Sequence, residues 1–225
     1  MHVFTKRKTY LPVALIILFA GCHFQIHDEI TGSGVRQKQK REVASFTSFA
    51  TEGAFDIEVV CQKPQSVEVE GDDNLLPLIT TEVANNVLHI RSNRSYSVND
   101  PIKISISLPN LEGLSASGAG KIEVAGLKNE KFEIDANGAT SIRVAGETKL
   151  IDIDTNGAGK IDAHKLRAAR GVVEAKGVAR VDVNVTEQLE VTVSGPSHVS
   201  YEGDPVLTKT VNGPGTVEKK EAVGS

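Results

Sequence analysis

Tryptophan is absent from this chain, and aromatic residues make up 4% of it, as three Tyr and seven Phe. It therefore lacks the large rings that sugar clefts use for stacking. Only two cysteines occur, Cys22 and Cys61, which rules out a disulfide framework and permits one bridge at most. The 25 basic residues are outnumbered by 29 acidic ones, a net charge of −4 that excludes a strongly basic nucleic-acid binder. The longest apolar run, Leu11 to Ala20, has ten residues, about half of what a membrane-spanning helix needs. Apolar residues are 40% and charged residues 24% of the chain, a globular balance rather than a disordered one. Twenty glycines among many Val and Ile favour short strands and tight turns over helices.

The amino terminus reads as an export signal. Lys6, Arg7 and Lys8 precede the apolar run, and Gly21 and Cys22 follow it directly. Leu18-Phe19-Ala20-Gly21-Cys22 resembles a bacterial lipobox, in which the chain is cut before the cysteine and the thiol carries lipid; Phe19 departs from the usual aliphatic residue. Residues 1–21 are thus expected to be a lipoprotein signal peptide and Cys22 the lipidation site. Its removal takes away three cations and leaves 204 residues with 22 basic and 29 acidic groups, a charge of −7. Residues 22–42, with Thr31-Gly32-Ser33-Gly34 and then Arg36, Lys38, Lys40 and Arg41 among glutamines, read as a lipidated tether whose cations can touch anionic headgroups. Residues 221–225 read as a tail.

Residues 43–110 have the pattern of a β-rich segment. Phe55, Ile57, Val59 and Cys61 share one strand face, so Cys61 is expected as a small buried residue. Leu75 to Ile79, preceded by Asp72, Asp73 and Asn74, suggests a short helix with Pro77 in its first turn. Asn85-Asn86 suggests a hairpin turn, and Ile102, Ile104, Ile106 and Leu108 alternate as a half-buried strand.

From residue 111 to 220 the chain repeats. Glycines 118, 138, 157, 177, 195 and 213, separated by 20, 19, 20, 18 and 18 residues, head segments such as Gly118-Ala-Gly-Lys-Ile-Glu-Val and Gly157-Ala-Gly-Lys-Ile-Asp-Ala. Four residues after each glycine stand Ile122, Ile142, Ile161, Val181, Val199 and Val217. Four before it stand Leu114, Ile134, Ile153, Val173, Val191 and Lys209. A unit of 18–20 residues cannot bury its own apolar face, but stacked copies build a continuous core. The expectation is an all-β fold: a β-solenoid of about six coils, roughly 25–30 Å long at about 4.8 Å per coil, with the N-terminal β-rich segment packed against it. A β-sandwich would not need matching glycines at a fixed period. The glycines are explained by corners that need positive φ or leave no room for a Cβ.

These repeats, preceded by Phe46 to Val60, by Glu70-Gly71-Asp72-Asp73-Asn74-Leu75-Leu76 and by Thr81-Glu82-Val83, resemble the head GIN domain family of bacterial exported proteins. The family carries an auto-transporter adhesin label. The resemblance covers roughly residues 43–220 and implies a β-solenoid-like domain on the cell envelope, with no catalytic or binding residue to carry over.

Catalytic motifs are missing. Gly118-Ala119-Gly120-Lys121 and Gly157-Ala158-Gly159-Lys160 have Ile where a phosphate loop needs a hydroxyl, and strands where it needs a helix. His2, His23, His27, His89, His164 and His198 lack metal-ligand spacing, and there is no Gly-x-Ser-x-Gly elbow. Neither a metal nor a cofactor is expected. One constellation stands out on the outward positions: Asp135, Asp154 and Glu174, three residues before their glycines, fall on adjacent coils as a candidate ligand face. Asn137 and Asn156 could stack beside them, and Lys160 and Arg180 are expected to neutralise the acids. The expected function is a non-catalytic cell-envelope lipoprotein, membrane-bound through its lipid, that presents a face to an envelope polysaccharide or protein. In a Gram-negative host the outer membrane is the expected site. A β-helical polysaccharide-degrading enzyme and a purely structural envelope protein are the alternatives, and the oligomeric state is left open.

Overall fold

The computed structural model describes residues 29–220. The signal peptide, Cys22 and the tail from 221 lie outside the described residues, as do His2, His23 and His27. In chain order the strands are β1 (Ile30–Thr31), β2 (Arg36–Arg41), β3 (Ser48–Gly53), β4 (Phe55–Cys61), β5 (Ser66–Asp72), β6 (Ile79–Ala84), β7 (Val87–Ser92), β8 (Tyr96–Ser97) and β9 (Ile102–Leu108). They continue with β10 (Gly113–Gly118), β11 (Lys121–Gly138), β12 (Ser141–Gly157), β13 (Lys160–Gly177), β14 (Arg180–Ser194), β15 (His198–Glu202), β16 (Val206–Asn212) and β17 (Thr216–Lys219).

Strands β11 to β14 each make a full turn of a parallel β-solenoid. Their first halves stack on one face and their second halves on the other, so Ile122 lies over Ile142 and Ile161, and Ile134 over Ile153 and Val173. All of these side chains are buried. Parity is set by the two-residue period of extended chain: Ile122 and Val124 point in while Lys121 and Glu123 point out. The corner glycines are required twice over. Gly138 has φ of 115°, and a Cβ there would stand 2.4 Å from the carbonyl oxygen of Gly118 in the coil beneath. The second corner has no such uniform residue and is turned by irregularities, at Val124/Leu127, Arg143/Ala145 and Ala163/Arg167.

The stack makes about five turns, because the segment headed by Gly213 adds only the single strand β17. At that end the inward positions open to solvent: Lys209 and Val211 are exposed, and Leu207 is partly covered. At the other end the column of corners begins earlier than the repeat suggests. Gly53 sits in register with Gly118, with β3 pairing β10 and β4 pairing β11, so the N-terminal segment supplies a corner of the solenoid itself. Phe49 four residues before Gly53 and Ile57 four after it obey the repeat rule. The excursion from β5 to β9 before Gly118 breaks the period and hides the match.

Antiparallel strands close this N-terminal end. β5 pairs β9 on one face, and β6 pairs β7 on the other. The Asn85-Asn86 turn joins β6 to β7 with φ of 52° and 63°, as a hairpin of this kind requires. The short helix is a single 3₁₀ turn, Leu76–Leu78, with Leu75 rather than an acidic residue at its N-cap and no side-chain cap.

The tether assignment for 22–42 is corrected over its second half. β2 pairs antiparallel with β5 from Arg36↔Asp72 to Arg41↔Val67, and β1 pairs β8. The cations are bridged across the strands: Arg36 lies 3.5 Å from Glu70, and Lys38 lies 3.3 Å from Glu68 and 3.4 Å from Glu70. A strand of sequence Arg-Gln-Lys-Gln-Lys-Arg shows no apolar alternation, because its hold on the fold is backbone pairing and cross-strand charge.

Candidate functional site

The second halves of the coils, extended by β10, β3 and β7, form one continuous outer surface. Register puts Ser115, Asp135, Asp154, Glu174 and Thr192 in a straight column, one per strand. The three carboxylates anticipated from the repeat are therefore neighbours. A second column runs from Gly113 through Glu133 to Asp152 beside the first. Small residues, Ser48, Ala50 and Gly113, leave a depression next to this acidic wall, and the resulting open groove measures about 680 Å³.

Close carboxylates repel unless a cation separates them, and here lysines do so. Lys176 Nζ stands 2.9 Å from Glu174 and 3.4 Å from Asp154, and Lys131 reaches Glu133 and, at 3.6 Å, Asp152. Both ammonium groups are held above the ordinary lysine range, Lys176 by hydrogen bonding to Glu174 and then Asp154, Lys131 foremost by Glu133. Asp135 instead accepts a 2.7 Å hydrogen bond from the Asn137 amide. Asn137 and Asn156 are in register, as expected.

Lys160 and Arg180 do not neutralise this wall, contrary to expectation. They project from the first halves of their coils, on the other sheet, where Lys160 lies 3.9 Å from Asp162. Lys176 was missed because it comes two residues after Glu174 on the same strand, and only stacking brings it to Asp154. Lys131 was missed for the same reason. Among the described residues no group of three or more His, Cys, Asp or Glu side chains is arranged to hold a metal ion.

His89 on β7 continues the first column beyond Ser115 and Ala50, while His164 and His198 lie elsewhere. His164 contacts Asp162 in its own strand. His198 contacts Thr216 through Nδ1, while Nε2 faces both Ser200 at 3.2 Å and Glu218 at 2.9 Å. A nucleophile relay needs hydroxyl and carboxylate on opposite ring nitrogens; Ser200 shares Nε2 with Glu218, whereas the Thr216 hydroxyl on Nδ1 lies opposite that carboxylate. Cys61 is buried as expected, and burial pushes its thiol pKa up to about 11.

Residues 45–205 match the family described as "Putative auto-transporter adhesin, head GIN domain". The chain belongs to this family. Among solved structures it is similar to a "putative adhesin" from Bacteroides fragilis, at 22% identity over 85% of this chain and 99% of that one, with a TM-score of 0.66. A "putative adhesin" from Parabacteroides distasonis is 23% identical over 86% of this head GIN chain and 100% of its own, with a TM-score of 0.59. Another from Parabacteroides merdae is 17% identical, with coverages of 86% and 99% and a TM-score of 0.54. At these identities the structures establish the shared fold. No curated protein is significantly similar to the chain. Membership makes this an adhesin-like bacterial protein, which points to a surface or envelope location.

Proposed function

We propose that this head GIN protein is a non-catalytic lipoprotein of the cell envelope, anchored through Cys22, that binds an envelope polysaccharide or protein on its acidic outer sheet. The observation that carries this reading is the uninterrupted surface around Asp135, Asp154 and Glu174. Five parallel strands, β10 to β14, present it without an inserted loop, and the groove beside it is open along its length. Such a surface suits an extended ligand that runs across several coils.

One feature favours binding over catalysis. A glycosidase needs one carboxyl group that holds a proton and one that does not, whereas Lys176 pairs with both Asp154 and Glu174.

Affinity capture from envelope extract tests the reading. The acylated protein is expected to enrich a defined glycan or protein, and the triple variant Asp135→Asn, Asp154→Asn, Glu174→Gln to lose it. Equal capture by the two proteins would move the binding surface elsewhere. Labelled fatty acid should enter the wild type and not Cys22→Ser; equal labelling would refute the anchor.

A further inference from the structure

We infer that the N-terminal end of the solenoid, where β1 meets β8, lies against the lipid surface, and that the C-terminal coil of β16 and β17 is the outermost part of the protein. This rests on acylation of Cys22 as argued above. The decisive observation is where the fold begins. Ile30 N donates to Ser95 O at 3.1 Å and Gly32 N to Ser97 O at 2.9 Å, so the chain is pinned from Ile30 onward. Only residues 23–29 remain between the lipidated cysteine and the fold.

The pinned point has a definite address. Tyr96, the partner of Ile30, donates its hydroxyl to Ala54 O at 3.2 Å, beside Gly53 at the head of the glycine column. From Gly53 the column passes through six further glycines to Gly213, and six steps of about 4.8 Å give roughly 29 Å. Eight Cα steps separate Cys22 from Ile30; fully extended they span at most about 28 Å. Turning the C-terminal coil toward the bilayer would lift Ile30 to the limit of that reach.

Charge distinguishes standing on this end from lying on the acidic flank. β2 is the outermost strand on its face at the N-terminal end, and of its four cations Arg36 and Lys38 are paired with Glu68, Glu70 and Asp72 on β5, which leaves Lys40 and Arg41 without an acidic partner among the described residues. Arg94 is exposed next to the chain exit. Anionic headgroups attract Lys40, Arg41 and Arg94. The flank with Glu133, Asp135, Asp152, Asp154 and Glu174 is repelled by the same surface. The ligand groove is then turned sideways within a few coils of the bilayer, so its ligand belongs to the anchoring envelope and not to a distant cell.

The experiment uses the acylated full chain in vesicles of phosphatidylethanolamine and phosphatidylglycerol with a headgroup-attached quencher. In a Cys61→Ala background, Asn93→Cys and Asn212→Cys each carry one dye at an exposed site, and mass spectrometry confirms the lipid on Cys22. Quenching is expected at position 93 and lost at position 212. A flexible Gly/Ser insert of about 20 residues between His27 and Asp28, which lets either end of the solenoid reach the bilayer, is expected to weaken the difference. Equal quenching at the two sites, or stronger quenching at 212, with Cys22 acylated would overturn the orientation and leave the anchor standing. Absence of lipid on Cys22 would overturn both.

Discussion

Replacing Ile142 by Ala tests the stacked core where it is least able to adjust. Ile142 is fully buried between Ile122 and Ile161, which are themselves buried in the coils on either side. Removing three carbons costs about 2.4 kcal/mol in transfer free energy. The two neighbours are held by parallel ladders and cannot collapse into the gap, so the cavity raises the loss to about 3–4 kcal/mol. Arg143, the next residue, points outward and lies 2.9 Å from Glu123 with half its side chain in water. Its replacement by Ala should cost about 0.5 kcal/mol or less. Urea unfolding followed by far-ultraviolet circular dichroism gives both numbers from the midpoints, provided the slopes agree. In a domain of this size the difference corresponds to about 5–14 °C in Tm. A loss at Arg143 equal to that at Ile142 would mean that the assignment of inward and outward positions is wrong.

Gly138→Ala should destabilise by well over 1 kcal/mol, roughly the cost of positive φ alone, because its Cβ also meets the Gly118 backbone; Gly34→Ala, at φ of 77° with nothing within 4 Å, should cost only the conformational part. Equal midpoints for the two variants would refute the stacking argument. Burial raises the Cys61 pKa in the folded state to about 11. Unfolded protein therefore loses the proton first as pH rises, and stability should fall between about pH 9 and 11 by roughly 2–3 kcal/mol. A Cys61→Ala variant with the same decline across that window would show that another group is responsible. Calcium should leave the Tm of the wild type unchanged, since Lys176 and Lys131 already separate the carboxylates, and a calcium-induced rise lost in Asp154→Asn would reverse this expectation. Lys176→Ala should change the Tm little in the absence of calcium and gain a calcium-dependent Tm shift, because Asp154 and Glu174 then repel each other.

Legibility differed sharply along the chain. The glycine-headed repeat announced the solenoid, because a corner that admits no Cβ and a strand with alternating apolar residues are local requirements that recur with each coil. The same rule applied to Phe49, Gly53 and Ile57, yet the long excursion before Gly118 removed the spacing that makes a repeat visible. β2 was taken for linker because pairing with β5 asks nothing apolar of its side chains. At the candidate site, Asp135, Asp154 and Glu174 were recovered from their constant distance to the glycines. Lys176 and Lys131 escaped, since their roles depend on which coil lies alongside.

By itself the sequence determined the class of fold, the position of the corners, the parity of the strands and the burial of Cys61. Each of these follows from steric and hydrophobic demands felt within about 20 residues. Only the tertiary structure decided that Gly53 heads the column, that Arg36 to Arg41 join the sheet, and that lysines stand between the acids. Those outcomes turn on contacts such as Gly53 with Gly118, Arg36 with Asp72 and Lys176 with Asp154. Their partners are distant in sequence, and register, which selects them, is a property of the assembled stack.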